Sequence, residues 1–288
     1  MRIGFIGVGI MGKSMVRNLL KTGFHVSIYT RTKSKVQDVI EEGAIWAESI
    51  KDCVKDKDAI ITIVGYPQDV ESVYFGEDGI MEHARTGAYL IDMTTNSPKL
   101  AVRIYEEAKI KGLFALDAPV TGGDVGAREG NLTIMVGGDE EAYTKCRPLF
   151  EAMGEHIVYE GKAGNGQHTK MANQIVIAGT LSAVCEAMTY AKTTGLDVET
   201  MMNTIKKGSA ASTQLSNVAP RILKEDYAPG FFIKHFIKDM RIAAAEADEK
   251  GLELNILNQV LEMYESLEKE GAGELGTQAL IKYYNKER

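Results

Sequence analysis

The chain has 288 residues, of which 44% are hydrophobic and 25% charged, with a formal net charge of −7. That length favours two domains over one and can bury a core without disulfide staples. The acidic balance argues against a nucleic-acid binder, which would carry a basic surface.

In chain order, short apolar runs at 3–6, 26–29, 59–64, 89–93, 114–118 and 132–136 predict strands. Helical spacing at 10–21, 70–74, 99–111 and 140–151 predicts helices between them. This alternation marks βαβ units and a parallel sheet. The glycine-rich stretch from Gly161 to Gly166 ends the pattern. From Gln167 to about Thr194 there is no proline, and no glycine before Gly179. Met171, Ile175, Val176, Ile177, Ala178, Leu181 and Val184 cover much of the circumference, the mark of a helix buried on several sides. Such a helix is roughly 40 Å long at 1.5 Å per residue. Gly195 is its stop signal. The remainder reads as further helices, with no convincing strand and no repeat.

Cys53, Cys146 and Cys185 stand far apart, with no CxxC pair and no histidine at metal-ligand spacing. Free thiols in a reducing compartment, and no metal, are expected. The first residues lead straight into an apolar strand rather than a leader, and no stretch reads as long and apolar enough for a membrane helix. The expectation is a cytoplasmic protein with no membrane partner.

The run Gly7-Val8-Gly9-Ile10-Met11-Gly12 is a GxGxxG between an apolar strand and an amphipathic helix. In that setting Gly7 permits the tight turn, Gly9 admits a pyrophosphate to the backbone, and Gly12 lets helix and strand approach. Free N–H groups at the helix start would hold the phosphates, whereas Ile10 and Met11 bring no chemistry of their own. The fold class is therefore α/β. A doubly wound Rossmann-type sheet over 1–162 is joined by the long helix to an all-helical domain over 163–288. The second predicted strand runs into Thr30, Arg31 and Thr32, with Lys33, Ser34 and Lys35 following. An NAD site usually places Asp or Glu here; cations and hydroxyls suit a 2′-phosphate, so NADP is preferred over NAD.

The fifth predicted strand runs into Asp117-Ala-Pro-Val-Thr121-Gly122-Gly123. Consecutive backbone N–H groups at Gly122 and Gly123, with the Thr121 hydroxyl, can hold a carboxylate, although a structural turn gives the same pattern. Lys170 opens the long apolar helix, with Asn173 and Gln174 one turn on along the same face. A lysine there is either snorkelling or used, and a lysine desolvated beside a pocket loses basicity, which suits acid–base work. Phe231 and Lys238 lie in a later segment that reads either as a core aromatic cluster beside a surface ion pair or as a cover for a cofactor ring. His168 and His235 read as structural.

Taken in order, GVGIMG, DMTTNSP, DAPVTGGDVGA, GNGQHTKMANQ and PGFFIKHFIKD resemble the 3-hydroxyisobutyrate dehydrogenase-like (β-hydroxyacid dehydrogenase) family over essentially the whole chain. The resemblance implies an NAD(P)-dependent oxidoreductase acting on a small carboxylate-bearing hydroxy acid or semialdehyde. Lys170 then matches the catalytic lysine, and Asn173 the substrate-orienting asparagine. Thr121, Gly122 and Gly123 fall on the carboxylate-binding loop. Thr95 falls near the nicotinamide ribose, Lys238 near nicotinamide, and Val64 and Gly65 in the cofactor cleft. Thr121 stands where serine is commoner, and Gln174 where many members have a second asparagine. Lys-Met-Ala-Asn-Gln looks like the tartronate semialdehyde reductase branch, whereas Thr30-Arg31-Thr32 looks like the NADPH-using succinic semialdehyde and glyoxylate reductase branch. A 6-phosphogluconate dehydrogenase would need a His and a Glu where Asn173 and Ile177 stand, and imine reductases generally lack the lysine. A non-catalytic NADP-binding module on the same fold is the alternative from another class. A homodimer or homotetramer is expected from the wide apolar helix faces.

Overall fold

The fold is given by a computed structural model, which describes residues 1–285. The chain forms two compact units, one ending at Lys170 and the other beginning at Met171.

The first unit runs β1 (Arg2–Ile6), α1 (Ile10–Lys21), β2 (His25–Tyr29), α2 (Gln37–Glu41), β3 (Ile45–Trp46), α3 (Ile50–Val54), β4 (Ala59–Thr62), α4 (Pro67–Phe75) and α5 (Ile80–His83). It continues with β5 (Tyr89–Asp92), α6 (Pro98–Ile110), β6 (Phe114–Asp117), β7 (Val120–Thr121), α7 (Gly123–Glu129), β8 (Leu132–Gly138), α8 (Glu140–Glu151) and β9 (Gly154–Gly161). The strands form one sheet in the order β3-β2-β1-β4-β5-β6-β8-β7, with β9 paired to β8. From β3 to β6 every pairing is parallel. The order reverses between β1 and β4, the switch point of a doubly wound sheet.

Unbroken apolar runs form these strands because both faces are covered. Successive side chains point to opposite faces, so Ile61 and Ile91 join one core layer with Phe5, Met15 and Ile28, while Ile60 and Leu90 join the other with Tyr74 and Ile104. Three features depart from the expected parallel sheet. Strand β8 runs antiparallel to β6 and β7. Strand β4 stops at Thr62, leaving Val64 and Gly65 in the loop beyond it. Strands β3, β7 and β9 were not expected: β3 and β7 are two residues each, and Glu155, His156 and Glu160 break the apolar run of β9, which pairs with β8 and leaves Val158 exposed.

The remaining elements are α9 (Asn165–Thr193), α10 (Val198–Ile205), α11 (Ala219–Leu223), α12 (Ile233–Glu249), α13 (Asn255–Lys269) and α14 (Ile281–Tyr284). Among the described residues the second unit contains no strand, only an isolated bridge between Phe232 and Gly276. Its core gathers Ala178, Leu181 and Cys185 of α9 with Phe236 and Met240 of α12 and Leu257 and Tyr264 of α13. Phe236 and Tyr264 meet edge to face at 5.3 Å between ring centres. Helix α9 also corrects one expectation: by length and composition it is apolar enough to cross a membrane. Within its most apolar window 44% of the residues are buried, and a core helix meets the same criterion. Cys53, Cys146 and Cys185 are free and buried, and burial pushes each thiol up to about 12.

Phe236 is fully buried, so Phe236→Ala is expected to cost about 3–5 kcal/mol, with Phe236→Leu recovering much of it. Urea unfolding followed by circular dichroism measures both, and an unchanged midpoint for the alanine variant would contradict this packing.

Candidate active site

The turn after β1 divides its glycines by task. Gly7 has φ +98°, and its N–H donates to the Tyr29 carbonyl at 3.0 Å. A Cβ on Gly7 would run into the Ile63 carbonyl, and a Cβ on Gly12 into that of Gly7. At Gly9 a Cβ would meet nothing within 4 Å. Two glycines thus close the strand–helix packing while the third leaves an open cradle at the start of α1, where a pyrophosphate fits. Val8 is buried beneath the turn, Met11 is half-buried, and Ile10 is exposed.

Beyond β2, Thr30 is half-buried and Thr32 exposed. Arg31 is 87% exposed and lies 3.7 Å from Asp69. Lys33 pairs with Glu48 at 3.2 Å and sits over the Trp46 ring at 5.2 Å. The end of β2 therefore presents an exposed guanidinium in a basic turn, a set of donors suited to a phosphate. Among the described residues no cluster could hold a metal ion.

Next to this turn, Val64 donates its N–H to Thr94 Oγ1 at 3.0 Å. Thr94 belongs to the loop after β5, and that loop is anchored on Asp92, which is buried. Asp92 Oδ1 accepts from Thr62 Oγ1 at 2.9 Å and from the Thr94 N–H at 3.1 Å, and Oδ2 accepts from Asn96 Nδ2 at 3.3 Å. Burial pushes Asp92 up to about 6, against the pull of these donors. Thr95, between Thr94 and Asn96, is half-buried.

Asp117, the register partner of Asp92 on β6, is also buried. It accepts the N–H groups of Gly164 at 2.7 Å and Gln167 at 2.9 Å, and burial raises its pKa despite them. Gln167 is fully buried; its Nε2 donates to the Thr94 carbonyl at 2.8 Å, and its Oε1 accepts from the Asn96 N–H at 2.9 Å. Lys170, one helical turn further on, is 6% exposed. Four residues after Asp117, Thr121 is half-buried, and Gly122 and Gly123 turn with φ +129° and +65°.

In the second unit, Asn173 Nδ2 donates to Gln174 Oε1 at 2.7 Å, and Gln174 Nε2 donates to Asp239 Oδ2 at 2.7 Å. Asp239 is buried and forms an ion pair with Lys238 at 2.8 Å. Phe231 is half-buried and packs on Phe236 at 5.7 Å. His168 is exposed; His235 is pushed below its usual value by burial and by Lys238 and Lys234.

The first unit thus brings the Gly7–Gly12 turn, Val64 and the Thr94–Asn96 loop to adjacent strand ends, and the second gathers Asn173, Gln174 and Lys238 around Asp239. Sequence reasoning gave no role to Asp92, Asp117 or Gln167, and the ion pair of Lys238 and Asp239, expected at the surface, has its carboxylate buried. The available signal was an Asp closing each of two apolar strands, Tyr89–Asp92 and Phe114–Asp117.

A GxGxxG turn at the switch point of a doubly wound sheet, in a chain whose second unit is helical, marks a dinucleotide-binding protein. Residues 2–161 match the NAD-binding domain of 6-phosphogluconate dehydrogenase, and residues 164–284 match the NAD-binding domain of NADP-dependent 3-hydroxyisobutyrate dehydrogenase. A 3-hydroxyisobutyrate dehydrogenase-like protein of Arabidopsis thaliana is 43% identical over 97% of this chain and 84% of its own. The 2-hydroxy-3-oxopropionate reductase of Escherichia coli is 36% identical over 98% and 96%. The Mycobacterium tuberculosis 3-hydroxyisobutyrate dehydrogenase, solved with L-serine, superposes with a TM-score of 0.91 at 27% identity, covering 99% of this chain and 100% of that one. The chain belongs to the 3-hydroxyisobutyrate dehydrogenase-like family of β-hydroxyacid dehydrogenases.

Gly9→Ala is expected to leave thermal stability unchanged and to weaken nicotinamide dinucleotide binding at least about tenfold, or about 1.4 kcal/mol. Gly12→Ala is expected to lower thermal stability as well. Melting curves and cofactor titrations separate the two; equal stability losses would contradict the division of tasks.

Folding raises the Asp92 pKa from its ordinary 3.8 to about 6. Its contribution to stability is therefore greatest below the ordinary value and is lost as pH rises through about 6. Between about pH 4 and pH 7 the native chain should lose about 2 kcal/mol relative to Asp92→Asn, at 1.36 kcal/mol per pKa unit crossed. Paired unfolding curves across that range test this, and a pH-independent difference refutes it.

Proposed function

We propose that this chain interconverts a small β-hydroxy acid and the corresponding semialdehyde, with NADP preferred over NAD and Lys170 as general acid and base. The observation that carries this reading is a lysine 6% exposed near the start of α9, in a helix start held to the strand ends beside the dinucleotide turn.

The turn Gly7-Val8-Gly9-Ile10-Met11-Gly12 would hold the pyrophosphate, and Thr30, Arg31 and Thr32 the 2′-phosphate. Val64, Gly65 and Thr95 would line the nicotinamide side, to which the family resemblance also assigns Phe231 and Lys238. Bound nicotinamide supplies or accepts the hydride. The Thr121 hydroxyl and the N–H groups of Gly122 and Gly123 bind the substrate carboxylate. In reduction the Lys170 ammonium donates a proton to the developing alkoxide oxygen; in oxidation the neutral amine accepts the hydroxyl proton. Asn173 orients the reacting oxygen. Asp239 accepts only, so it directs the Gln174 NH₂ toward itself and the Gln174 carbonyl toward Asn173. That leaves the Asn173 carbonyl oxygen and its second N–H for substrate.

The candidate substrates are 3-hydroxyisobutyrate, glycerate with tartronate semialdehyde, and 4-hydroxybutyrate with succinic semialdehyde. The relatives' names favour compact ones, and the Thr121 methyl narrows the carboxylate end. Exposed Val176 and Tyr190 on α9 support a homodimer or homotetramer, and a cytoplasmic location fits the three reduced thiols.

Lys170→Ala is expected to lower kcat by about 10²–10⁴-fold, the usual worth of a general acid–base group, while still binding NADPH. A spectrophotometric panel of NADPH and NADH against these semialdehydes and hydroxy acids identifies the substrate for that assay. Turnover near wild type in Lys170→Ala would sink the assignment.

A further inference from the structure

We propose that Asp117 and Gln167 are positioning residues for Lys170, clamping the first turn of its helix to the ends of β5 and β6. The proposal rests on Lys170 being the acid–base group. A helix start needs only a local Ser, Thr, Asp or Asn to accept one or two of its free N–H groups. Here the acceptor is a carboxylate 50 residues away on the end of β6, taking the N–H of Gln167 on one oxygen and that of Gly164 on the other. Burying that carboxylate is costly, as its raised pKa records.

Gln167 makes the second jaw. Both ends of its amide engage backbone 71–73 residues distant, on either side of Thr95. Neither end can rotate away without stranding a buried donor and a buried acceptor. The backbone leaves no slack: a Cβ on Gly166 would run into the Met135 carbonyl and come within 2.9 Å of Asp117 Oδ2. Lys170 follows Gln167 by three positions, so the two share a helix face. The clamp therefore sets the height and rotation of the Lys170 backbone against two loops. One is the 94–96 loop, which Gln167 grips; the other is the Thr121 loop, which leaves β6 four residues after Asp117. A misplacement of about 1 Å can cost 10²-fold in rate without loss of binding.

The test uses the full chain with NADPH and either succinic semialdehyde or 2-hydroxy-3-oxopropionate, whichever is turned over faster. Gln167→Met keeps the length and apolar stem but removes both hydrogen bonds. Asp117→Asn keeps the shape but turns an N–H₂ toward one backbone N–H, and it carries the same test should the methionine variant not fold. Each is expected to lower kcat about 10–100-fold, with KM and the NADPH dissociation constant within about threefold of wild type. In Asp117→Asn, amide exchange of the 162–172 segment is expected to rise about tenfold, a readout independent of turnover. Combined with Lys170→Ala, either substitution should add no further loss to the single-turnover rate, because it acts through that lysine. Wild-type kcat and exchange in these variants, beside an inactive Lys170→Ala, would overturn the clamp alone. So would an undiminished further loss in the Lys170→Ala background. An active Lys170→Ala would overturn the catalytic reading, and the clamp with it.

Discussion

Two carboxylates stand side by side at the ends of adjacent strands, Asp92 on β5 and Asp117 on β6, both buried and both pushed up by desolvation. A buried carboxylate must be supplied with donors or it protonates. Around Asp92 those donors are Thr62, the Thr94 N–H and Asn96; around Asp117 they are the backbone of Gly164 and Gln167. Each requirement pins a loop, one carrying Thr95 and the other opening α9. Gln167 ties those two loops together. Of the proposed site residues, Thr95 and Lys170 lie on the two segments that these acceptors pin.

In doubly wound sheets ligands bind outside the carboxyl ends of the strands. Here the same ends hold the close-packed Gly7–Gly12 turn and the buried acidic pair, so the proposed cofactor cradle and the proposed proton-transfer residue share one foundation. The second unit uses a related device: a buried Asp239, paired with Lys238, sets the polarity of the Gln174 and Asn173 amides. Orientation of neutral amides by an accept-only group recurs in both units.

Much of this was legible in the sequence. Glycine spacing after an apolar strand gave the dinucleotide turn, because close approach and tight turning are demands on single residues. Short unbroken apolar runs gave β1, β2, β4, β5 and β6, and the long helix was readable from its nearly unbroken apolar circumference. Edge strand β9 was not, because Glu155, His156 and Glu160 suit a strand with one exposed side and spoil the pattern of a buried one. The roles of Asp117 and Gln167 were not legible either. Their partners lie 47 to 73 residues away, and nothing in a local window tells a buried amide from a solvated one. Helix α9 was underestimated: no stretch had read as long and apolar enough to cross a membrane, yet α9 is by length and composition, with 44% of its most apolar window buried.

The three cysteines have a practical consequence. Each thiol is buried and pushed up to about 12, so almost none is thiolate near neutral pH and none offers an alkylating agent a nucleophile in the folded chain. Cys53 and Cys146 lie in the first unit and Cys185 in the second. The chain therefore carries its own chronometers of local opening: the pace at which each sulfur acquires a label records how often its unit breathes, with no foreign probe introduced.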